Sequence, residues 1–197
     1  MRQETGSNLT IDNKKVSIQV KLGGLSFSAE SVTATDRAEH VEFVIDTPRV
    51  ILAPREAVSL DTASALLRLA GKPCHLSELS VCSELQADIV AIMAIDHEAL
   101  TSMIEKWGSR ASFTSPLLDM RHNDEQCLTI DWRGEVCYMH LFDGGLQRAE
   151  SFVMTSADDL LYNVVEWLGE RELPIYIKGE RKVAKLLAKY FERVVCE

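Results

Sequence analysis

Val16, Ile18, Val20 and Leu22 alternate with Ser17, Gln19 and Lys21, a period of two that predicts a half-buried strand. Gly23-Gly24 supplies a two-residue turn, after which Leu25, Phe27 and Ala29 alternate with Ser26, Ser28 and Glu30. Leu22 would face Leu25 and Val20 would face Phe27, so one side of the expected hairpin is apolar throughout. A third strand, Val41–Asp46, carries Val41, Phe43 and Ile45 on one face. Pro48 interrupts, and Val50–Ala53 reads as a short extra strand, an insertion. Ser59 is placed to cap a helix running to about Ala70, with Gly71 as its stop signal. Lys72–Gln86 has no clear period and reads as loop or short turns. Asp88–Ile95 is apolar on both faces and predicts a buried strand. Asp96 caps a helix in which Leu100, Met103, Ile104 and Trp107 share a face, and Gly108 ends it. Arg110–Phe113 reads as a short strand, and Ser115-Pro116 opens a short helix with Leu117 and Leu118.

His122–Glu125 is wholly polar and reads as a linker. Beyond it, Leu128–Met154 predicts three consecutive strands, turned at Gly134 and at Asp143-Gly144-Gly145. The middle one, Val136–Phe142, is apolar on both faces. Thr155 or Ser156 caps a helix through Leu168, whose inner face is Leu160, Leu161, Val164, Trp167 and Leu168. Ile175–Lys178 reads as a strand. Val183, Leu186, Leu187, Tyr190 and Phe191 mark a last helix, and Val194–Cys196 a final strand. The order is therefore a glycine-turned antiparallel meander followed by β-α units of parallel type, twice over. That is the layout of the duplicated ribonuclease H-like, or actin-like, α/β fold. The expected halves are Val16–Met120 and a shortened Gln126–Glu197, packed around a shallow cleft, with residues 1–15 poorly ordered.

Composition narrows the function classes. A net charge of −9 over 197 residues argues against a nonspecific grip on nucleic acid or an anionic membrane. The longest apolar run, Ile89–Ile95, is too short to span a bilayer. The leading residues MRQETGSNLTIDNKK have no apolar core, so a cytoplasmic protein is expected. Five cysteines with no CxxC suggest neither a disulfide framework nor a zinc site. Cys127 and Cys137 read as buried small thiols, and Cys74-His75 with Cys82 fits no metal-ligand spacing. His97-Glu98 lacks the second histidine of a zincin helix, and no serine sits in a GxSxG elbow. Trp107, Trp132 and Trp167 read as core or interface residues.

Four strings resemble a known family by their order and spacing: VSIQVKLGGLSFSA, ASFTSPLLD, LTIDWRGEVCYMHLFDGGLQRAESF and IYIKGERKVAKLLAKYF. They resemble the bacterial domain-of-unknown-function 3822 family, over nearly the whole chain. That family is similar to actin-like ATPases, including actin-like proteins of type IV pilus assembly and cell division. The resemblance implies a nucleotide held between two halves by three glycine-rich turns, with an acid holding Mg²⁺ through water. The first turn is Lys21-Leu22-Gly23-Gly24, where Lys21 replaces the acid. The second is Asp131-Trp132-Arg133-Gly134, where Asp131 survives and Arg133 stands for a glycine. The third is Lys178-Gly179-Glu180-Arg181, where Glu180 puts a carboxylate in place of a glycine. Gly23, Gly24 and Gly134 are more readily explained as hairpin turns than as phosphate cradles, and Lys21 with Arg133 could form a compact anion site. The expectation is a non-catalytic pseudo-ATPase acting through contacts with a protein partner, with no cofactor, no metal and no catalytic residue. The alternative is a nucleotide-binding switch or weak Mg-ATPase using Asp131 for the ion and the glycine turns for phosphate.

Overall fold

The computed structural model describes residues 11–12, 15–21, 38–59 and 61–197, with backbone alone at Ile11, Asp12, Lys15 and Lys21. The chain divides into two compact units, Met1–Ser115 and Pro116–Glu197. The expected disorder of residues 1–15 falls mostly outside the described residues, as do Gly23, Gly24 and the strand expected at Leu25–Glu30.

In the first unit, β1 (Ile11–Asp12), β2 (Lys15–Lys21), β3 (His40–Asp46) and β7 (Ala111–Thr114) form one sheet in that order. Val41, Phe43 and Ile45 are buried as their spacing predicts. This expected third strand of the meander lies directly beside the first: β3 pairs with β2 in parallel, with Val16 beside Val41 and Val20 beside Ile45, whereas in a meander the second strand separates them. Alternation reveals a face but not which strand lies beside it, and the 18 residues from 22 to 39 are long enough for the connection a parallel pair needs. Helix α2 (His97–Trp107) packs through Met103 and Trp107, and the Trp107 ring meets Phe43 edge-on at 5.1 Å. The Asp96 side chain caps it by accepting from the backbone N–H groups of Glu98 and Ala99.

A separate antiparallel sheet in this unit has the order β4-β6-β5. It comprises β4 (Val50–Pro54), β6 (Ile89–Asp96) and β5 (Glu78–Cys82). β6 is the apolar strand foreseen, but it is the middle of this small sheet rather than part of a parallel β-α unit. The stretch read as loop, Lys72–Gln86, contains β5. Only Val81 of that strand is buried, so no alternation was there to detect. Helix α1 (Ala63–Leu69) covers the sheet, burying Ala63 and Leu67 against Val90 and Ile92. It starts later than expected, because Ser59 and Thr62 bond each other and Thr62 takes the cap position.

The second unit is a five-stranded sheet in the order β10-β9-β8-β11-β12. Its meander is β8 (Gln126–Trp132), β9 (Val136–Asp143) and β10 (Leu146–Val153), all antiparallel. β11 (Ile175–Lys178) and β12 (Val194–Cys196) continue it in parallel. The expected succession of an antiparallel meander followed by two β-α units of parallel type is present here. β9 is buried from Val136 to Phe142. Its odd-numbered residues join a core with helices α3 (Ala157–Leu168) and α4 (Arg181–Leu187), centred on Met139, Leu160, Trp167 and Leu187. Its even-numbered residues, Tyr138, His140 and Phe142, face the other way. Ser156 rather than Thr155 caps α3, in a reciprocal box with Asp159. α4 ends at Leu187, which leaves Tyr190 exposed outside the apolar face assigned to it.

The segment His122–Glu125 lies inside the second unit. His122 Nδ1 is 3.0 Å from Glu125 Oε1, its Nε2 is 3.0 Å from Glu197 Oε1, and its ring stacks on Tyr176. The polar run is therefore tied through His122 to Glu197 and to Tyr176 of β11. Cys127 and Cys137 are buried free thiols, as expected. Burial pushes the Cys127 thiol up to about 11, with Glu125 and Glu197 adding to the effect. No helix among the described residues is long and apolar enough to cross a membrane.

Candidate functional site

Parallel pairing of β8 with β11 sets Asp131 opposite Lys178 and so brings the second and third turns together at one end of the sheet. Asp131, Arg133, Gly134 and Gly179 share that end. Lys21 ends β2 in the first unit, in register with Asp46; its side chain, with Gly23 and Gly24, lies outside the described residues.

Arg133 folds back over the turn. Its Nε and Nη2 donate to Asp131 Oδ2 at 3.0 and 2.7 Å. Lys178 Nζ stands 3.7 Å from the same oxygen. Asp131 and Arg133 are largely buried side chains, each below 20% exposure (15% and 17%), whereas Lys178 is half exposed. The Arg133 guanidinium also lies 6.0 Å from the centroid of the Tyr138 ring, the residue paired with Asp131 across the hairpin. The one surviving acid of the resemblance is thus held between two cations of its own unit. Both guanidinium bonds fall on Oδ2 and are of the stronger, charge-assisted kind, so a hydrated Mg²⁺ drawn to that oxygen would compete with them.

The two glycines have different physical reasons. Gly134 has φ +89 with open space where a Cβ would stand, so the hairpin conformation alone requires it. Gly179 has φ +132, and a Cβ there would sit 2.9 Å from Trp132 Cβ and closer still to the Trp132 carbonyl oxygen. The third turn is pressed onto the end of β8, and the space a glycine frees is filled by that strand's backbone. Glu180 precedes α4 without a side-chain cap bond.

Beside this cluster is a cavity of about 20 Å³, bordered by Asp131, Lys178, Tyr176, His140, Asp119 and Arg121. It has room for about one water, far below the roughly 300–1,000 Å³ of sites that bury a drug-sized ligand. Burial works against ionisation of Asp119, but the hydrogen bonds and charge of Arg121 outweigh it and hold the carboxyl below its usual range. His140 is 2% exposed. Its Nε2 donates to the Leu117 carbonyl at 3.0 Å, so Nδ1, 3.1 Å from Thr129 Oγ1, accepts the hydroxyl proton. Burial lowers its pKa despite that carbonyl and the negative charges of Asp119 and Asp131.

Asp119, Arg121, Tyr138, His140 and Lys178 were not among the sequence-derived site residues. A histidine inside an otherwise apolar, doubly covered strand was the available signal for His140, because such a group must find partners. Nothing local announced that Arg133 would reach back to Asp131.

No protein-family model and no curated protein matches the chain significantly. Among solved structures, a Bacteroides thetaiotaomicron protein with an actin-like ATPase fold and unknown function matches it with a TM-score of 0.71. The two are 16% identical, over 94% of this chain and 91% of that one. The cytoplasmic domain of EpsL, an inner-membrane component of the Vibrio cholerae type II secretion system, gives a TM-score of 0.46. Identity is 10%, over 83% and 81% of the two chains. An AlfA filament bound to AMPPNP gives 0.39 at 10% identity, over 85% and 57%. Scores below 0.5 bear no weight, and the first likeness speaks to fold alone. This chain has the α/β actin-like ATPase-type fold.

Proposed function

We propose that the protein is a non-catalytic member of the actin-like superfold, akin to the domain-of-unknown-function 3822 proteins. It acts in the cytoplasm through contacts with a protein partner. The observation that carries this reading is the closure of Asp131 by Arg133 and Lys178. The second unit's residues do not fit a magnesium-bound nucleotide. The acid that would orient the ion's waters is already paired with Arg133 and Lys178, and Trp132 fills the space beside the third turn. The cavity at this end of the sheet is water-sized. Fold by itself assigns no activity, so the loss of chemistry is the argument.

Melting with and without millimolar Mg-ATP tests it. A ligand at a hundred times its dissociation constant stabilises the native state by about 2.7 kcal/mol. In a chain of this size each kcal/mol moves the melting temperature by about 2–4 °C. A site binding at tens of micromolar would therefore shift it by several degrees, and no shift is expected. A clear shift that disappears in Asp131→Ala would overturn the reading in favour of a nucleotide-binding switch.

A further inference from the structure

The turn that enters β8 carries a histidine, a glutamate and a cysteine in the spacing His122-x-x-Glu125-x-Cys127. Glu125 N–H donates to the His122 carbonyl at 3.0 Å, which folds the segment into a tight turn. The pleat of β8 then sends Gln126 outward and Cys127 inward. One ligating atom from each of the three residues lies within 4.8 Å of the others. Tetrahedral zinc, with bonds of about 2.0–2.3 Å, spaces its ligands at roughly 3.3–3.8 Å. His122 Nδ1 and Glu125 Oε1 already stand 3.0 Å apart, so an adjustment of about an ångström brings the three donors to that spacing. They come from six consecutive residues, so little chain has to be ordered.

A second observation points the same way. Metal-bound histidines characteristically give their other ring N–H to a carboxylate. His122 presents Nδ1 to Glu125, and its Nε2 is held by Glu197 Oε1 at 3.0 Å. Glu197 is anchored in turn by Arg121 Nη2 at 3.4 Å from its other oxygen. Tyr176 stacks on the imidazole, with centroids 4.5 Å apart and planes at 16°, which fixes the ring's orientation. His122 and Glu197 also border the water-sized cavity, so solvent has room to reach this side.

We propose that His122, Glu125 and Cys127 bind a divalent transition ion of the zinc class, with Glu197 orienting His122 from behind. Imidazole, carboxylate and thiolate together select zinc or cobalt over magnesium and calcium, which take oxygen donors. The fourth position is left to water. The site is independent of the reading of Asp131, which none of these residues contacts through a hydrogen bond or ion pair described above.

Cobalt(II) titration of the chelator-treated full chain tests the site, followed by displacement with zinc. One equivalent should produce the near-ultraviolet band of a thiolate bound to cobalt together with intense tetrahedral visible bands. Zinc should abolish both. Cys127→Ser should lose the thiolate band. Glu197→Gln should weaken binding by roughly 10–100-fold, and His122→Ala, which removes a ligand, should weaken it further. Glu125→Gln, at an exposed position that leaves the core intact, should weaken it too, and serves if Cys127→Ser fails to fold. Absence of a thiolate band in the wild type overturns the proposal. So does a band that persists in Cys127→Ser, or affinity unchanged in Glu125→Gln and His122→Ala.

Discussion

His140 stands in a strand whose other titratable groups between Val136 and Phe142 are Cys137 and Tyr138, and both its ring nitrogens have partners in the neutral form. In the neutral form the Leu117 carbonyl takes its one N–H and the Thr129 hydroxyl donates to the other nitrogen, whereas a second proton would put a charge where water is excluded. Burial therefore holds its pKa below the ordinary 6.5, against the opposing pull of the Leu117 carbonyl, Asp119 and Asp131. Because the folded value is lower than the unfolded one, the unfolded chain binds the proton first as pH falls. The stabilisation is complete above pH 6.5 and is lost progressively below it, at up to about 1.4 kcal/mol per pH unit for one proton. Melting temperature should fall between roughly pH 6.5 and 5, and His140→Gln should flatten that slope. The depressed carboxyl of Asp119 contributes in the same direction but only below its ordinary value of 3.8. A profile flat down to pH 5 in the wild type would contradict the buried, neutral imidazole.

At the scale of single elements, β9 carries the second unit. Phe142 is fully buried on its even-numbered face, with its ring stacked 5.8 Å from His140. Truncation to Ala should cost about 3–5 kcal/mol, read as a lowered urea midpoint at unchanged slope. A wild-type midpoint would place the residue at an edge. β9 was legible from sequence because burial on both faces writes an unbroken apolar run. α2 and α3 were legible from their caps and 3.6-residue periods. β5 was not, since one buried residue in five writes no pattern. The pairing of β2 directly with β3 was hidden for another reason: which strands lie side by side is set by the connections, not by the faces of the strand. At the candidate site, Asp131, Gly134 and Gly179 could be picked out as turn residues. What surrounds them could not, because Arg133 reaches back across its own turn and Trp132 meets Gly179 only after β8 and β11 have paired. The polar run His122–Glu125 is exposed at Asn123, Asp124 and Glu125, while His122 meets Glu197 and Tyr176, residues distant in sequence that the run itself does not announce.

On the scale of the whole chain, the second unit has the means to stand by itself. Every buried residue of its main core cluster lies between Leu128 and Leu187. Its sheet closes among its own strands, and the turn Pro116–Leu118 supplies the carbonyl that His140 requires. Both helices that cover the cluster belong to it, and α3 has its own reciprocal cap at Ser156 and Asp159. A fragment comprising residues 116–197 should therefore fold with a five-stranded sheet. A single core in so short a chain supplies only about 3–5 kcal/mol, so its stability should be modest but its unfolding cooperative. Far-ultraviolet dichroism and the fluorescence of Trp132 and Trp167 should report one coincident urea transition. Trp167 is the sharper probe, buried against Phe152 with the Arg148 guanidinium 4.2 Å from its ring centroid. Separate transitions, or strand signal without a fixed tryptophan environment, would mean that the cluster is not self-sufficient and that the first unit is needed to complete it.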